Sequence, residues 1–257
     1  MSRPARDAAV VAWYGREPAE LRALRTHVHG LLADALGAAF VPRAEGTLHS
    51  TVLGLDAFAP FPPGPAGEAV VQRTAGADLD GLLVELGRTF DTSPVVQFGG
   101  FGGDQDLPVT SRGQHLADRT LVRHGRTVVL VGWPVVDGAP SWQLDELRRC
   151  CVRRGFAHRY PFPDPDAHMV VGEVTDAAAD EQVAQVRSAL ASQPFVVAVP
   201  TTELQVVTYT DHRLPPDSTE HVPIASLHGV GSVGNDRGAP PGAESAGTAA
   251  DPRTCSG

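Results

Sequence analysis

The chain contains no lysine: all 21 of its basic residues are arginine. That excludes Schiff-base chemistry on lysine, a Walker-type phosphate loop and a lysine general base. Any phosphate recognition falls to arginine, histidine, hydroxyls and backbone N–H groups. Cysteine is nearly as scarce, with Cys150, Cys151 and Cys255 alone and no CxxC pair. A structural zinc site is therefore not expected. Cys150 and Cys151 fall inside a helical pattern and read as small apolar packing residues, which fits a reducing compartment. No apolar run approaches the roughly 20 residues that span a bilayer. Met1 to Asp7 has no basic-then-apolar layout of a secretory leader, so a cytoplasmic location is expected.

The 257 residues are enough for one large domain or two lobes, and the 42% hydrophobic content suits a globular core. A net charge of −9 argues against a protein that coats duplex DNA. It leaves room for a small phosphate-bearing ligand in a locally positive cleft.

Hydrophobic periodicity divides the chain into two similar series of elements. Strands are expected at 8–14, from 48 to about 55, and at 94–98, with helices at 17–36 and 79–89. The order recurs with strands at 127–136, 167–174, 195–199 and 204–210, and helices at 144–155 and 180–192. Pro18 opens the first helix and Gly37 closes it. The expected fold is α+β and bilobal, with two pseudo-symmetric β-α-β-α-β halves. Mixed or antiparallel sheets would surround a central cleft. The first lobe is placed at 1–98, a connecting loop at 99–126, the second lobe at 127–221 and a disordered tail at 222–257. The connection holds Arg112, His115, Arg119, Arg123, His124 and Arg126, of which Arg112 and Arg119 are candidates to reach a phosphate across the cleft.

Two strand-like segments carry the chemistry: Leu48-His49-Ser50-Thr51-Val52 and Ala167-His168-Met169-Val170-Val171. Strand side chains alternate between faces, so His49 and Thr51 share one face, and Met169 points away from the face of His168. An imidazole and a hydroxyl on one face can protonate and hold a phosphate, and a second imidazole can complete an acid–base pair. Asp164 and Asp166 precede His168 closely enough to orient it, and His158 and Tyr160 lie in the loop before them. His27 and His29 sit on different faces of their helix and make no metal pair. Residues 229–234, Gly-Val-Gly-Ser-Val-Gly, match a dinucleotide-binding fingerprint in letters only, because the residues after them cannot form the helix that would receive a pyrophosphate.

The His49-Ser50-Thr51-Val52 strand, paired with His168-Met169-Val170 in a second half, resembles the 2H phosphoesterase superfamily. That superfamily includes the LigT-like and 2′-5′ RNA ligase-like cyclic phosphodiesterases. The resemblance covers roughly residues 8–212, and Leu204-Gln205-Val206-Val207-Thr208-Tyr209 resembles the family's closing strand. It implies a metal-independent, cofactor-free phosphodiesterase acting on 2′,3′-cyclic phosphates or 2′-5′ linkages of nucleotides or RNA ends. It also implies that His49 and His168 are the acid–base pair and that Thr51 is a phosphate ligand. The sequence departs from the pattern at Val170, which stands where a second hydroxyl is expected. Two readings follow: an enzyme in which an arginine from 112–126 compensates, or a catalytically degenerate module that binds a nucleotide or RNA end. A scaffold without cleft chemistry is the third class, and it predicts no phosphate-dependent thermal shift.

Overall fold

The computed structural model describes residues 7–55, 59–60, 71–72, 77–156, 158, 160, 162–175, 179–211 and 213–227. The first elements are β1 (Asp7–Ala12), α1 (Ala19–Leu36), β2 (Phe40–Pro42), β3 (Ser50–Gly54), β4 (Ala59–Pro60) and β5 (Val71–Gln72). Next come α2 (Leu79–Phe90), β6 (Val95–Phe98), α3 (Leu116–Arg119), β7 (Leu121–His124), β8 (Thr127–Val136) and β9 (Ala139–Pro140). The chain continues through α4 (Gln143–Arg153), β10 (Ala167–Val174), α5 (Asp180–Leu190), β11 (Phe195–Ala198), β12 (Leu204–Tyr209), β13 (Glu220–Pro223) and α6 (Ile224–Leu227).

The fold is α+β, built on one eleven-stranded sheet whose main path runs β11-β6-β8-β10-β3-β1-β12-β13. All of its pairings recorded among the described residues are antiparallel, so the sheet is not mixed. The two histidine-bearing segments meet at its centre, where β3 and β10 pair directly with His168 opposite Thr51. The strand order crosses the boundary drawn from sequence. β6 lies between β8 and β11, while β12 lies beside β1.

Period-two alternation explains how β10 serves two environments. Ala167, Met169 and Val171 are buried, while His168 and Val170 are partly exposed. The buried set joins the main core with Leu130 of β8 and Leu53 of β3. Leu21, Leu24, Val28 and Leu32 of α1, and apolar residues of α2, α4 and α5, complete it. Burying an apolar stripe of this kind contributes about 25 cal/mol per Å² removed from water. Two smaller clusters are separate from that core. One joins Phe101, Val109, Leu116, Val129, Val131 and Trp133, with Val170 packed against it. The other joins Ala9, Val11, Tyr14, Val207, Tyr209 and Leu214.

Two expectations need correction. Residues 99–126 are not a single loop: they form α3 and β7, and β7 pairs with β8 from Leu121↔Leu130 to His124↔Thr127. The apolar run Leu121-Val122 supplies that strand, which the surrounding arginines and glycines obscured. The tail expected from 222 onward begins later, because β13 pairs with β12 (Val222 opposite Val206) and Ile224 is fully buried. Val222 and Ile224 gave too short an apolar signal to read as structure. The Gly-rich 229–234 match and Cys255 lie outside the described residues.

Candidate active site

A cavity of about 440 Å³ opens beside the central strand pair, and His49, Thr51, His168 and Val170 all line it. The antiparallel register explains their convergence. With His168 opposite Thr51, His49 lies two residues along the neighbouring strand on the same face. The backbones of such diagonal neighbours sit about 7–8 Å apart. Each segment also carries a β-bulge three residues after its histidine: Val52 interrupts the β1–β3 register and Val171 the β8–β10 register. A bulge turns the strand and re-aims the side chains beside it. The carbonyl of Val171 is held by the backbone N–H of Arg43 at 2.9 Å and lies 2.8 Å from His29 Nε2 on α1.

The two imidazoles have different surroundings. His49 is 7% exposed, and its Nδ1 lies 3.0 Å from the Thr47 carbonyl. A carbonyl only accepts, so Nδ1 carries the proton and Nε2 holds the lone pair. Burial pushes the His49 pKa down to about 4, and the Arg43 guanidinium adds to that effect against the hydrogen bond that the ring donates to the Thr47 carbonyl. The ring is therefore neutral at physiological pH. Tyr14 packs edge-on against it at 6.0 Å between ring centres.

The His168 ring faces a carboxylate, with Nε2 3.5 Å from Asp166 Oδ2. Asp166 is fully buried. It accepts hydrogen bonds from Ser111 Oγ at 2.7 Å and Trp133 Nε1 at 2.9 Å. Burial alone would raise its pKa, but the neighbouring His168 ring and the bonds from Ser111 and Trp133 outweigh burial and hold it below the usual carboxylate range. An ionised Asp166 thus opposes the charge that His168 acquires on protonation.

Arg148 on α4 is a residue that sequence reasoning missed. It is 3% exposed and donates to the carbonyls of Thr51, Val52, Asp164 and Asp166, while pairing with the Asp164 carboxylate at 3.0 Å. One guanidinium therefore ties β3 to the segment that leads into β10. An amphipathic helix pattern gives an arginine no sign of such a role, because its partners are backbone atoms distant in sequence.

Of the two candidate arginines in 99–126, Arg112 lines the cavity and Arg119 does not. Arg119 is buried beside Asp166, with Nη2 3.9 Å from Oδ2. His158 and Tyr160 line the cavity, whereas Asp164 is buried and accepts from His158 Nε2 at 3.1 Å if that nitrogen carries the proton. Met169 lies in the main core, as its face requires. Burial pushes the Cys151 thiol up to about 12, so it is no nucleophile. The lining includes four histidines, two arginines and, among the described residues, no carboxylate. An acidic chain thus lines this cavity with basic side chains.

No protein-family model and no curated protein matches the chain.

Asp164, Asp166 and His168 bring one ligand atom each within 4.8 Å of one another. Their donor set does not suit a cation. Asp164 is engaged by Arg148 and His158, Asp166 by Ser111 and Trp133, and Arg119 stands beside them. Among the described residues, no helix is long and apolar enough to cross a membrane.

Proposed function

We propose that this protein is a cytoplasmic phosphodiesterase that hydrolyses 2′,3′-cyclic phosphates or 2′-5′ linkages at nucleotide or RNA ends by two-histidine acid–base catalysis without a metal. The observation that carries the reading is the direct pairing of β3 with β10, which puts His49, Thr51 and His168 on one cavity wall. The strand order supports the pseudo-symmetric arrangement, because β3 and β10 are the central pair with three strands of the main path on either side. The matched bulges support it as well.

Neutral His49 accepts a proton at Nε2 from the attacking water. The water oxygen bonds to phosphorus as the bond to the ribose oxygen breaks. His168, charge-balanced by Asp166, gives its proton to that leaving oxygen, and the Thr51 hydroxyl donates to a phosphoryl oxygen. The two rings thus end in exchanged protonation states and reset through solvent.

Val170 favours a second reading, in which the same cavity binds the nucleotide or RNA end without turning it over. The test is hydrolysis of 2′,3′-cyclic AMP by wild type and by His49→Ala. Turnover lost in a folded variant supports the enzyme. Full turnover without His49 ends the acid–base proposal. An inactive wild type that is still stabilised thermally by nucleoside 2′-phosphate supports the binding module.

A further inference from the structure

We propose that the cavity contains a second anion subsite, formed by Arg112 and His124, that holds a further phosphate of the ligand beyond the one that reacts. The preferred substrate is then a nucleotide or RNA end carrying at least two phosphates. This rests on the phosphoester-binding function proposed above and narrows its substrate class.

The backbone around Arg112 makes the first part of the case. Ser111 and Gln114 exchange backbone hydrogen bonds of 3.0 and 2.9 Å, closing a two-residue hairpin turn. Its two central residues, Arg112 and Gly113, have φ of 51° and 74°. Such a turn ordinarily takes Asn or Gly at its first central position, because a side chain with a Cβ is strained there. An arginine is held in that place by the anchoring of the turn: Ser111 is fully buried and donates to Asp166, the carboxylate that faces His168. The hairpin tip is thereby fixed to the catalytic end of the cavity.

The second part is the state of the guanidinium. Arg148 is fully engaged with carbonyls and Asp164, and Arg119 is buried beside Asp166. Arg112 has neither kind of partner. It is exposed, lines the cavity, lies 5.5 Å over the Tyr160 ring, and among the described residues pairs with no carboxylate. His124, at the end of β7, also lines the cavity and has no hydrogen-bond partner recorded among the described residues. Burial and then the charges of Arg119, Arg112 and His168 lower its pKa from the ordinary histidine value, and in either protonation state the ring has at least one N–H donor.

The third part is position. The Tyr160 ring neighbours both groups: the Arg112 guanidinium lies 5.5 Å over it, and its centre is 5.8 Å from that of the His168 ring. Arg112 and the imidazole thus share one aromatic neighbour on the cavity wall. The cavity volume of about 440 Å³ suits a nucleotide rather than a lone phosphate.

The test is titration calorimetry of the full chain with adenosine 2′-monophosphate, adenosine 2′,5′-bisphosphate, and a dinucleotide ending in a 2′-phosphate. Arg112→Gly is the variant, because glycine accepts the positive φ and keeps the turn. Wild type should bind the bisphosphate on the order of 10-fold tighter than the monophosphate, the scale of one charge-assisted contact. Arg112→Gly should bring that ratio to about one. Tighter binding of the dinucleotide than of the bisphosphate assigns the second phosphate to an RNA backbone, and the reverse to a 5′-phosphate; either supports the subsite. Equal wild-type affinities overturn the subsite alone, as does an Arg112→Gly variant that weakens all three ligands equally. Failure of wild type to bind any of them overturns the phosphoester function and the subsite together.

Discussion

Replacing Val170 by threonine should create the phosphate donor that the second histidine strand lacks. Val170 lies two residues after His168, as Thr51 lies two after His49, and both line the cavity. Threonine is also β-branched, so the side chain keeps its stiff χ1 and nearly its volume. Val170 packs against the smaller cluster beside Val129 and Trp133, but it is only partly buried. Because Val170 is partly exposed, the new hydroxyl reaches water or the ligand and is not stranded, and the stability cost is on the order of 1 kcal/mol. One preorganised donor to a developing phosphoryl charge is worth about 10²–10³ in rate, or roughly 3–4 kcal/mol of barrier. The assay is initial-rate hydrolysis of a 2′,3′-cyclic nucleotide, with kcat and KM separated and thermal unfolding as control. A donor that acts chiefly on the transition state raises kcat, whereas one that acts equally on bound substrate lowers KM alone. A Val170→Thr protein that melts like wild type and gains in neither would refute the placement of phosphate between the two strands.

The buried neutral state of His49 has two consequences. Its folded pKa of about 4 lies below the ordinary 6.5, so the unfolded chain takes the proton first. That share of stability, about 3 kcal/mol, is present above pH 6.5 and is lost as pH falls toward 4. Urea unfolding at pH 7 and pH 4.5 should show the loss in wild type and a smaller one in His49→Gln. The acid limb of kcat/KM should likewise lie near pH 4, and a limb near 6.5 would count against His49 as the base. Arg148→Ala should destabilise by about 3–5 kcal/mol in denaturant melts, because it removes the buried cation paired with the Asp164 carboxylate and the donor to the strand carbonyls. Arg148→Lys should recover little of this, because an ammonium lacks the fork that spans four carbonyls. A loss below 1 kcal/mol in Arg148→Ala would show the clamp to be dispensable.

Local patterns made most elements and the histidine pair legible, while pairings distant in sequence stayed hidden. The stripe Leu21, Leu24, Val28, Leu32 defines α1, and the β10 bounds follow from its alternation. The shared face of His49 and Thr51 also follows from alternation alone. The adjacency of β3 and β10 does not, because 119 residues separate the histidines and antiparallel register has no local signature. For the same reason β6 and β12 lie across the boundary drawn from chain order. Arg148 was silent because its partners are main-chain carbonyls. Asp166 was visible only as a neighbour of His168, since its dependence on Ser111 and Trp133 is tertiary.

The most direct measurement is single-turnover hydrolysis of 2′,3′-cyclic AMP by wild type, His49→Ala, His168→Ala and the double variant, each checked for native unfolding. Two rings that move protons around one phosphate predict a loss of at least about 10² for either single change, and a double loss well short of the product of the two. Wild-type rates in either folded single variant would contradict the account.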